Sequence, residues 1–436
     1  MAENLTQPGV ISGTGIHLMA KPIGPKCNLR CKYCFYLEKE ALFPEGEKYR
    51  MSNDILEAYI RGCVKANMDN PADLIFAWQG GEPTLMGLDF YRKAVELERK
   101  YAGKKPFQNT LQTNGTLLDD KWCEFLAKNT FLVGLSLDGP PDIHDKYRVD
   151  ANGNPTFTAV LRALKLLQKH GVEYNILTCV AKETAKYPLE VYNFFKEQGV
   201  KFIQFIPIVE RMPGQAACQL GLKRDMPPSL TKIESGEVSL WTVEPEAYGD
   251  FMTAVFDQWV RKDVGDMFIM NFEWLVFASI GGDGSVCYMS KKCGNACIVE
   301  HNGDIYCCDH YVYPEFRLGN VITDDVKAVV NSDRQRSWGA LKEEKLPRSC
   351  QECDVLYVCR GGCPKHRFME SFYGEPGWNY LCMGYQKFYR HIRKYMNGFR
   401  QLVEHDLPCE GIMQAIERPT IFTSNVTGQQ FTLWVK

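Results

Sequence analysis

The sequence predicts an α/β protein, a partial TIM-like (β/α)6 barrel followed by a cysteine-rich domain. Between residues 16 and 208, six strand-like runs alternate with helical stretches, as parallel strands joined by right-handed crossovers do. The chain has eighteen cysteines, most of them clustered, and two of the three clusters lie beyond residue 282. Its 436 residues are enough for two or three domains.

Six runs define the predicted strands of the barrel, at residues 16–23, 74–78, 109–113, 131–137, 173–180 and 201–208. Helical stretches between them are predicted at residues 54–68, 89–102, 159–171 and 188–199. In barrels of this kind the chemistry lies at the C-terminal ends of the strands. The segment CNLRCKYC, residues 27–34, follows the first strand and is therefore expected at that end.

The remainder of the chain divides into a loop, a helical connection and the cysteine-rich domain. Residues 210–243 are rich in Pro, Gly and polar groups and are predicted to form a long functional loop. Helices are predicted at 246–262, 268–281 and 384–405, and CIVEHNGDIYCCDHY carries an Asn-Gly hairpin signal. The predicted domains are 1–243, 244–281, 282–385 and a C-terminal helix and tail at 386–436.

Composition limits the functional classes that the chain can belong to. Hydrophobic residues make up 45% and charged residues 24%, as in an ordinary soluble protein, and the net charge of −2 gives no case for nucleic-acid binding. No apolar run reaches the length of a membrane span, and the N-terminus MAENLTQPGV lacks the apolar core of a secretory signal. We expect a cytoplasmic protein, in which clustered cysteines bind metal or do chemistry.

The first cluster, Cys27, Cys31 and Cys34, offers three thiols where a structural zinc site needs four ligands. The spacing alone leaves three alternatives open. A fourth ligand comes from elsewhere, or the thiols bind no metal, or the thiols hold an iron–sulfur cubane with one coordination site left free. An amine and a carboxylate on one small molecule, as in S-adenosylmethionine, would chelate that free iron.

Four motifs at successive strand ends resemble those of the radical S-adenosylmethionine enzymes. CNLRCKYCFY resembles the CxxxCxxC signature, QGGEPTL (79–85) resembles the GGEP motif, and QTNGTLL (112–118) and SLDGPPDIHDKYR (136–148) follow the third and fourth strands. The resemblance implies a 4Fe–4S cluster on the three cysteines, with S-adenosylmethionine bound to it. It assigns cofactor contacts to Tyr33, Gly81, Ser136, Arg148 and Val209, of which Arg148 is expected to pair with a carboxylate.

The later cysteines resemble the SPASM domain, which carries two auxiliary 4Fe–4S clusters. By that resemblance the inner cluster is held by Cys287, Cys293, Cys308 and Cys363, and the outer one by Cys350, Cys353, Cys359 and Cys382. Taken alone, Cys-x2-Cys-x5-Cys-x3-Cys equally fits a zinc ribbon. Two further cysteines, Cys297 and Cys307, are alternatives to a neighbouring ligand in this assignment.

The segment YCCDHYVYPEFRLGN resembles the anaerobic sulfatase-maturating enzymes, and the match covers roughly residues 16–390. In that family the stretch CDxY…RLGN carries a proposed catalytic base, which corresponds to Asp309. The alternative for Asp309 is an ordinary surface carboxylate on a hairpin. Tyr36 and Gln112 are expected toward the substrate.

The family resemblance implies a radical oxidation of a Cys or Ser within a sulfatase C/S-x-P-x-R segment to Cα-formylglycine. S-adenosylmethionine would be cleaved to methionine and 5′-deoxyadenosine. The expected partners are an unfolded sulfatase polypeptide and a flavodoxin- or ferredoxin-like reductant, with no nucleic acid or membrane. Two alternatives remain: an SPASM-type enzyme that crosslinks or epimerises a ribosomal peptide, and a zinc-stapled binding module without catalysis.

Overall fold

This computed structural model describes residues 15–231, 233–282, 286–294 and 296–436. Within these residues, ten strands form one sheet. Seven of them are parallel and follow chain order: β1 (His17–Lys21), β2 (Leu74–Trp78), β3 (Phe107–Thr113), β4 (Phe131–Ser136), β5 (Glu173–Val180), β6 (Phe202–Pro207) and β7 (Phe268–Ile269). The predicted six-unit partial barrel is confirmed, and the two-residue β7 extends it.

Helices cover the outer face of the barrel. They are α1 (Asn53–Asn67), α2 (Leu88–Ala102), α3 (Asp120–Lys128), α4 (Pro141–Tyr147), α5 (Phe157–Lys169) and α6 (Pro188–Glu197). The N-terminus of α1 is capped by Ser52, whose hydroxyl accepts a hydrogen bond from the Ile55 amide at 3.3 Å. The sequence pattern did not single out α3 and α4, which have only nine and seven residues and so a short period to detect.

The segment after the barrel differs from its prediction at two places. The predicted long loop contains a short helix, α7 (Gln215–Gln219), and is joined across its base by a bridge between Arg211 and Val238. The predicted helix over 268–281 is wrong at its start, because Phe268–Ile269 pairs with β6 and the helix begins only at Met270. The two helices here are α8 (Pro245–Lys262) and α9 (Met270–Ser279).

The cysteine-rich domain shares the sheet of the barrel. Its strands β8 (Ala296–Glu300) and β9 (Asp304–Tyr306) form the predicted hairpin, turning at Asn302-Gly303 with Gly303 at a φ of +86°. Strand β10 (Arg317–Asn320) adds to β9. Strand β8 runs parallel to β1, with Lys21 opposite Glu300. The hairpin is thereby attached to the first barrel strand, at the mouth.

Helices and two small hairpins complete the chain. They are α10 (Val326–Val330), α11 (Asp333–Glu344), α12 (Arg348–Gln351), α13 (Leu356–Cys359), α14 (Cys382–Glu404) and α15 (Gly411–Glu417), with β11 (Met369–Glu370), β12 (Pro376–Trp378), β13 (Thr420–Thr423) and β14 (Gln430–Leu433). Helix α14 packs closely on α8, where a Cβ on Gly384 would lie 1.9 Å from the Pro245 carbonyl oxygen. This contact fixes the C-terminal helix against the barrel side.

Seven short 3-10 helices lie in the connections, at Leu37–Leu42, Pro83–Met86, Thr184–Lys186, Cys287–Met289, Asp309–Tyr311, Pro314–Phe316 and Pro364–His366 of the described chain. None of the helices in the described ranges has the length and apolarity needed to cross a membrane. The prediction that no secretory signal is present concerns MAENLTQPGV, which lies outside the described residues.

Candidate active site at the barrel mouth

A buried carboxylate, Glu82, ties together the loops that follow β2 and β3. It accepts hydrogen bonds from the Thr84 amide at 3.0 Å, the Thr113 hydroxyl at 2.7 Å and the Asn114 amide at 2.8 Å. Burial raises the pKa of this carboxyl, and the hydrogen bonds partly offset that rise. Glu82 therefore fixes the positions of the GGEP and QTNG motifs relative to each other.

The GGEP backbone lies directly against the loop that follows β1. The Gly81 amide donates to the Gly24 carbonyl at 2.8 Å, and the Glu82 amide donates to the Lys26 carbonyl at 2.9 Å. A Cβ on Gly81 would lie 1.9 Å from the Lys26 carbonyl oxygen. Only glycine permits this approach, and the result is a backbone cradle beside the first cysteine of the cluster.

The three thiols of the 27–34 loop form one group. The Cys27 sulfur accepts hydrogen bonds from the Leu29 amide at 3.3 Å and the Asn114 side chain at 3.7 Å. The Cys34 amide donates to the Cys31 carbonyl at 3.0 Å. Burial raises the pKa of Cys27 and of Cys31 to about 12 each, and neighbouring thiols of the loop add to both shifts. The donor set suits a thiophilic cluster, whose binding must displace the thiol protons.

A buried ion pair lies beside this loop, at the ends of β4 and β5. The Arg148 guanidinium contacts the Asp138 carboxylate through Nε at 3.0 Å and Nη2 at 3.1 Å. The same carboxylate accepts hydrogen bonds from the Tyr33 hydroxyl at 2.5 Å and the Cys179 amide at 2.9 Å. Arg148 is thus buried and paired with a carboxylate of the chain itself, which also orients Tyr33.

The remaining predicted contacts lie on neighbouring strands. Gln112 on β3 donates through its amide to the Ser136 hydroxyl at the end of β4, at 3.0 Å. Val209 follows β6 and is buried, next to Ile208, whose amide donates to the Val180 carbonyl at 3.0 Å. The structure therefore brings Gln112 and Ser136 together. The hydrogen bond described for Gln112 is with Ser136 and not with Asp309.

Asp309 lies at the mouth, against the end of β1. Its Oδ1 is 2.5 Å from the Nζ of Lys21, which is 3.2 Å from the Gln79 side-chain oxygen and stands 3.9 Å from the ring centroid of Tyr36. The Tyr36 hydroxyl donates to the buried carboxylate of Glu300, the residue opposite Lys21 on β8. One cation therefore contacts three groups that come from three different loops.

The charge of Lys21 also decides the ionisation of Asp309. Burial alone raises the pKa of this carboxyl, but the positive charge of Lys21, with smaller effects from His310 and Lys39, outweighs burial and leaves the pKa below its ordinary value. The side chain of Asp309 keeps 25% of its surface exposed, whereas that of Lys21 keeps 1%. Asp309 is therefore an ionised carboxylate that is reachable from the mouth.

Four polar residues at the site were missed by reasoning from sequence: Lys21, Gln79, Glu82 and Asp138. Lys21 is the last residue of β1, Gln79 comes directly after β2, and Asp138 comes two residues after β4. Gln79, Glu82 and Asp138 stand inside motifs quoted above, whereas Lys21 belongs only to the first predicted strand. Position at a strand end was thus a usable signal, but it could not tell which polar side chains point inward.

The cysteines predicted for the inner auxiliary cluster affect one another's pKa through their charges. Burial raises the pKa of Cys293 to about 12 and that of Cys363 to about 11, and the charge of Cys287 adds to both shifts. The thiol of Cys308 is likewise raised well above its ordinary pKa by burial and then by Cys363 and Cys287. The thiols of Cys293, Cys308 and Cys363 are therefore each near enough to Cys287 for its charge to affect them.

The cysteines predicted for the outer cluster surround a small cavity. Its lining includes all four thiols together with Tyr385 and Gln386: Cys350, Cys353, Cys359 and Cys382. The Gln386 side chain donates to the Cys382 sulfur at 3.3 Å. Within the described residues, no three His, Cys, Asp or Glu side chains are grouped to hold a single metal ion.

Two further cysteines lie beside the inner set. Cys297 on β8 is fully buried, and its sulfur accepts a hydrogen bond from the Gln335 side chain at 3.4 Å. Cys307 is also buried, and burial followed by the charge of Cys297 raises its pKa. Which cysteines belong to each ligand set therefore stays a prediction.

Comparison with known protein families agrees with this arrangement of fold and thiols. Residues 22–195 match the model of the radical SAM superfamily, and residues 281–354 match that of the SPASM iron–sulfur cluster-binding domain. Together with the barrel and the three-thiol loop at its mouth, these matches define a radical S-adenosylmethionine protein with an iron–sulfur domain.

Individual relatives narrow this class. The chain is 42% identical over 403 residues to the serine-type anaerobic sulfatase-maturating enzyme of Bacteroides thetaiotaomicron, covering 92% of this chain and 95% of the relative. It is 34% identical over 380 residues to the cysteine-type enzyme of Clostridium perfringens, covering 86% and 96%. The chain belongs to the family of anaerobic sulfatase-maturating enzymes.

A solved structure gives the same result. The structure of native anSMEcpe with bound AdoMet and Cp18Cys peptide matches with a TM-score of 0.76 and 32% identity. The match covers 89% of this chain and 99% of that one. The similarity thus includes both the barrel and the cysteine-rich domain.

Proposed function

We propose that this protein oxidises a serine or cysteine side chain in a C/S-x-P-x-R segment of a sulfatase polypeptide to Cα-formylglycine. The observation that carries the proposal is the Lys21–Asp309 ion pair at the barrel mouth, next to the three-thiol loop. It provides an ionised carboxylate where a substrate side chain would enter. Membership of the family supports the reaction, and both the serine-type and cysteine-type relatives are similar to this chain.

The residues at the mouth fit the cofactor that this reaction requires. We propose that Cys27, Cys31 and Cys34 hold a 4Fe–4S cluster and that S-adenosylmethionine lies in the Gly81 cradle. Its other contacts are proposed to be Tyr33, Ser136, Arg148 and Val209. When bound, the cluster and S-adenosylmethionine would supply the radical that abstracts a hydrogen atom from the β-carbon of the substrate. The auxiliary clusters would supply an acceptor for the second electron.

We propose that the auxiliary clusters bring the total to three 4Fe–4S clusters. The small cavity between the outer thiols and the grouping of the inner ones support this count. The inner set is Cys287, Cys293, Cys308 and Cys363, and the outer set is Cys350, Cys353, Cys359 and Cys382.

Asp309 is the proposed base of the reaction. Oxidation of the side chain to a carbonyl or thiocarbonyl requires the hydroxyl or thiol proton to leave, and a carboxylate within reach accepts it. Because the ion pair with Lys21 keeps Asp309 ionised, the base is ready at neutral pH. Lys21 is therefore a positioning residue, holding Asp309 against the mouth. In the cysteine case, water then replaces sulfur to give the same aldehyde.

The substrate side of the site is proposed to include Tyr36, whose ring faces Lys21, and Gln79, whose amide contacts the same cation. Gln112 stays a predicted substrate contact. The proposed partners are an unfolded sulfatase segment and a flavodoxin- or ferredoxin-like reductant, in the cytoplasm. The domain limits given above, 1–243, 244–281, 282–385 and 386–436, also stay predictions.

Anaerobic turnover of two peptides tests the proposal. The peptides carry S-x-P-x-R and C-x-P-x-R and differ only in the target residue. Conversion to formylglycine lowers the mass by about 2 units for serine and about 18 for cysteine, since the chemistry removes two hydrogens or exchanges sulfur for oxygen as well. A crosslink within a peptide would also remove two hydrogens, so trapping with a hydrazide must label the product. Absence of an aldehyde from both peptides would overturn the proposed function.

A further inference from the structure

Three lysines are buried in the described part of the chain, and they differ in their partners. Lys342 Nζ lies 2.9, 2.8 and 2.5 Å from the carbonyl oxygens of Cys287, Tyr288 and Ser290. Lys21 Nζ contacts the Asp309 carboxylate and the Gln79 amide oxygen. An ammonium group has three N–H donors, and its burial without acceptors is costly. A buried lysine is therefore expected to have oxygen partners.

Lys39 is the exception among the buried lysines of the described chain. Its side chain is 1% exposed, yet Nζ has no hydrogen-bond partner. The group stands over the face of Tyr313, 3.2 Å from the ring centroid. An aromatic face attracts a cation but does not replace oxygen acceptors. Lys21, which also stands over a tyrosine ring, has two oxygen partners in addition.

The acids around Lys39 are already engaged with other cations. Glu38, Glu210 and Asp309 are the carboxylates with which Lys39 interacts electrostatically. Their ion-pair partners are Arg224 at 3.6 Å for Glu38, Lys365 for Glu210 and Lys21 at 2.5 Å for Asp309. Lys39 is therefore a surplus donor that sits among paired charges.

The position of Lys39 connects it to the mouth. It lies in the 3-10 helix Leu37–Leu42, which follows the three-thiol loop, while Tyr313 comes from the segment that follows Asp309. Lys39 thus spans the junction between the barrel and the cysteine-rich domain. The charge of Lys39 also acts on the Asp309 carboxylate, so the two side chains belong to the same region of the mouth.

We propose that Lys39 is a substrate-positioning residue whose Nζ donates a hydrogen bond to a main-chain carbonyl oxygen of the bound peptide. None of the fixed positions of the segment C/S-x-P-x-R carries a carboxylate, whereas main-chain carbonyls are present in every variant of it. A buried donor without a partner is explained if the partner arrives with the ligand. This inference rests on the proposed function, because it needs a peptide at the mouth.

Peptide binding without turnover tests the proposal. The enzyme with its clusters reconstituted anaerobically and with S-adenosylmethionine added, but no reductant, is titrated calorimetrically with the S-x-P-x-R and C-x-P-x-R peptides. The variants are Lys39→Met, which removes the donor, and Lys39→Gln, which keeps an uncharged N–H donor. The matched control is Lys48→Met, a change at an exposed lysine nearby in the chain.

We expect Lys39→Met to raise the Kd of both peptides by about 10- to 100-fold, because a hydrogen bond from a charged donor is lost. Lys39→Gln should lose less, and Lys48→Met should bind as wild type does. An unchanged Kd in Lys39→Met would overturn the proposal. Failure of the wild-type enzyme to bind either peptide would instead overturn the proposed substrate, and the role of Lys39 with it.

Thermal unfolding of the peptide-free proteins distinguishes positioning from structural support. Because Lys39 is buried without acceptors, its replacement by an apolar side chain of similar length should keep or raise the Tm. A structural role predicts the opposite, a lower Tm in Lys39→Met accompanied by weaker binding. That combination would also overturn the proposal.

Discussion

The loop at residues 27–34 and the cysteine set at residues 350–382 both group buried or half-buried cysteines, but their surroundings differ. The outer set has four thiols around a small cavity that Tyr385 and Gln386 also line. The loop at the mouth has three thiols, and it lies beside the Gly81 cradle and the Tyr33–Asp138–Arg148 network. Four ligands in a closed shell suit a resident cluster, whereas three beside a polar pocket suit one with an exchangeable ligand.

The largest effect expected comes from replacing Cys27, Cys31 and Cys34 together by Ala. We expect S-adenosylmethionine cleavage to be lost completely, while roughly eight irons per chain remain on the auxiliary sets. Iron determination and 5′-deoxyadenosine analysis measure these two quantities. Cleavage that survives the triple change would break the comparison, because the three thiols would then not be the open site.

The matching change in the outer set of four cysteines is the double substitution Cys350→Ala with Cys353→Ala. This variant should lose roughly four irons and still cleave S-adenosylmethionine, because the thiols at the mouth remain. Its formylglycine yield should fall, since the proposed acceptor for the second electron is damaged. Loss of iron without any loss of product would remove the outer set from the reaction.

Asp309→Asn is expected to have the next largest effect. It should lower formylglycine formation by about 10²- to 10⁴-fold, the range for loss of a general base, while cleavage of the cofactor continues. Mass spectrometry of the peptide and chromatography of 5′-deoxyadenosine follow the two events separately. Wild-type product yield would show that another group takes the proton.

Gly81→Ala sharpens the comparison at the cradle. The added Cβ would lie 1.9 Å from the Lys26 carbonyl oxygen, so the backbone beside Cys27 must move. We expect S-adenosylmethionine to bind about tenfold more weakly, or worse, with the iron content unchanged. The control is Gly236→Ala, where a Cβ would make only ordinary contacts at 3.7 Å. Equal cofactor affinity in both variants would argue against the cradle.

Lys21→Met should give the smallest change in formylglycine formation at neutral pH. It should, however, change the pH dependence of the reaction. In the wild type, the charge of Lys21 holds the pKa of Asp309 below its ordinary value, so the base is ionised at neutral pH. Without that charge, burial raises the pKa, and the ionised fraction falls on the acid side. We expect the acid limb of the kcat/KM profile to move to higher pH, and an unmoved limb would mean that Asp309 is not the titrating base.

Much of the barrel was predictable because its signals are local. The runs at 74–78 and 173–180 coincide with β2 and β5, and the Asn-Gly turn gave the β8–β9 hairpin. The start of β7 was not predictable, because a two-residue strand is defined only by its pairing with β6. At the site, the spacing of the cysteines left three alternatives open, and the motifs at four strand ends favoured an open cluster. The inward direction of Gln79 and Asp138 depended on the packing of the loops.

The sequence by itself determined the order of strands and helices, the three-thiol loop after β1 and the position of Asp309 next to a cysteine. These features follow from spacing within short segments. Only the tertiary structure decided that β8 adds to β1, which brings Lys21 against Asp309, and that Lys39 alone among the buried lysines of the described chain keeps an unpaired Nζ. The physical reason is that ion pairs and burial depend on side chains that meet in space from distant parts of the chain, which no local pattern records.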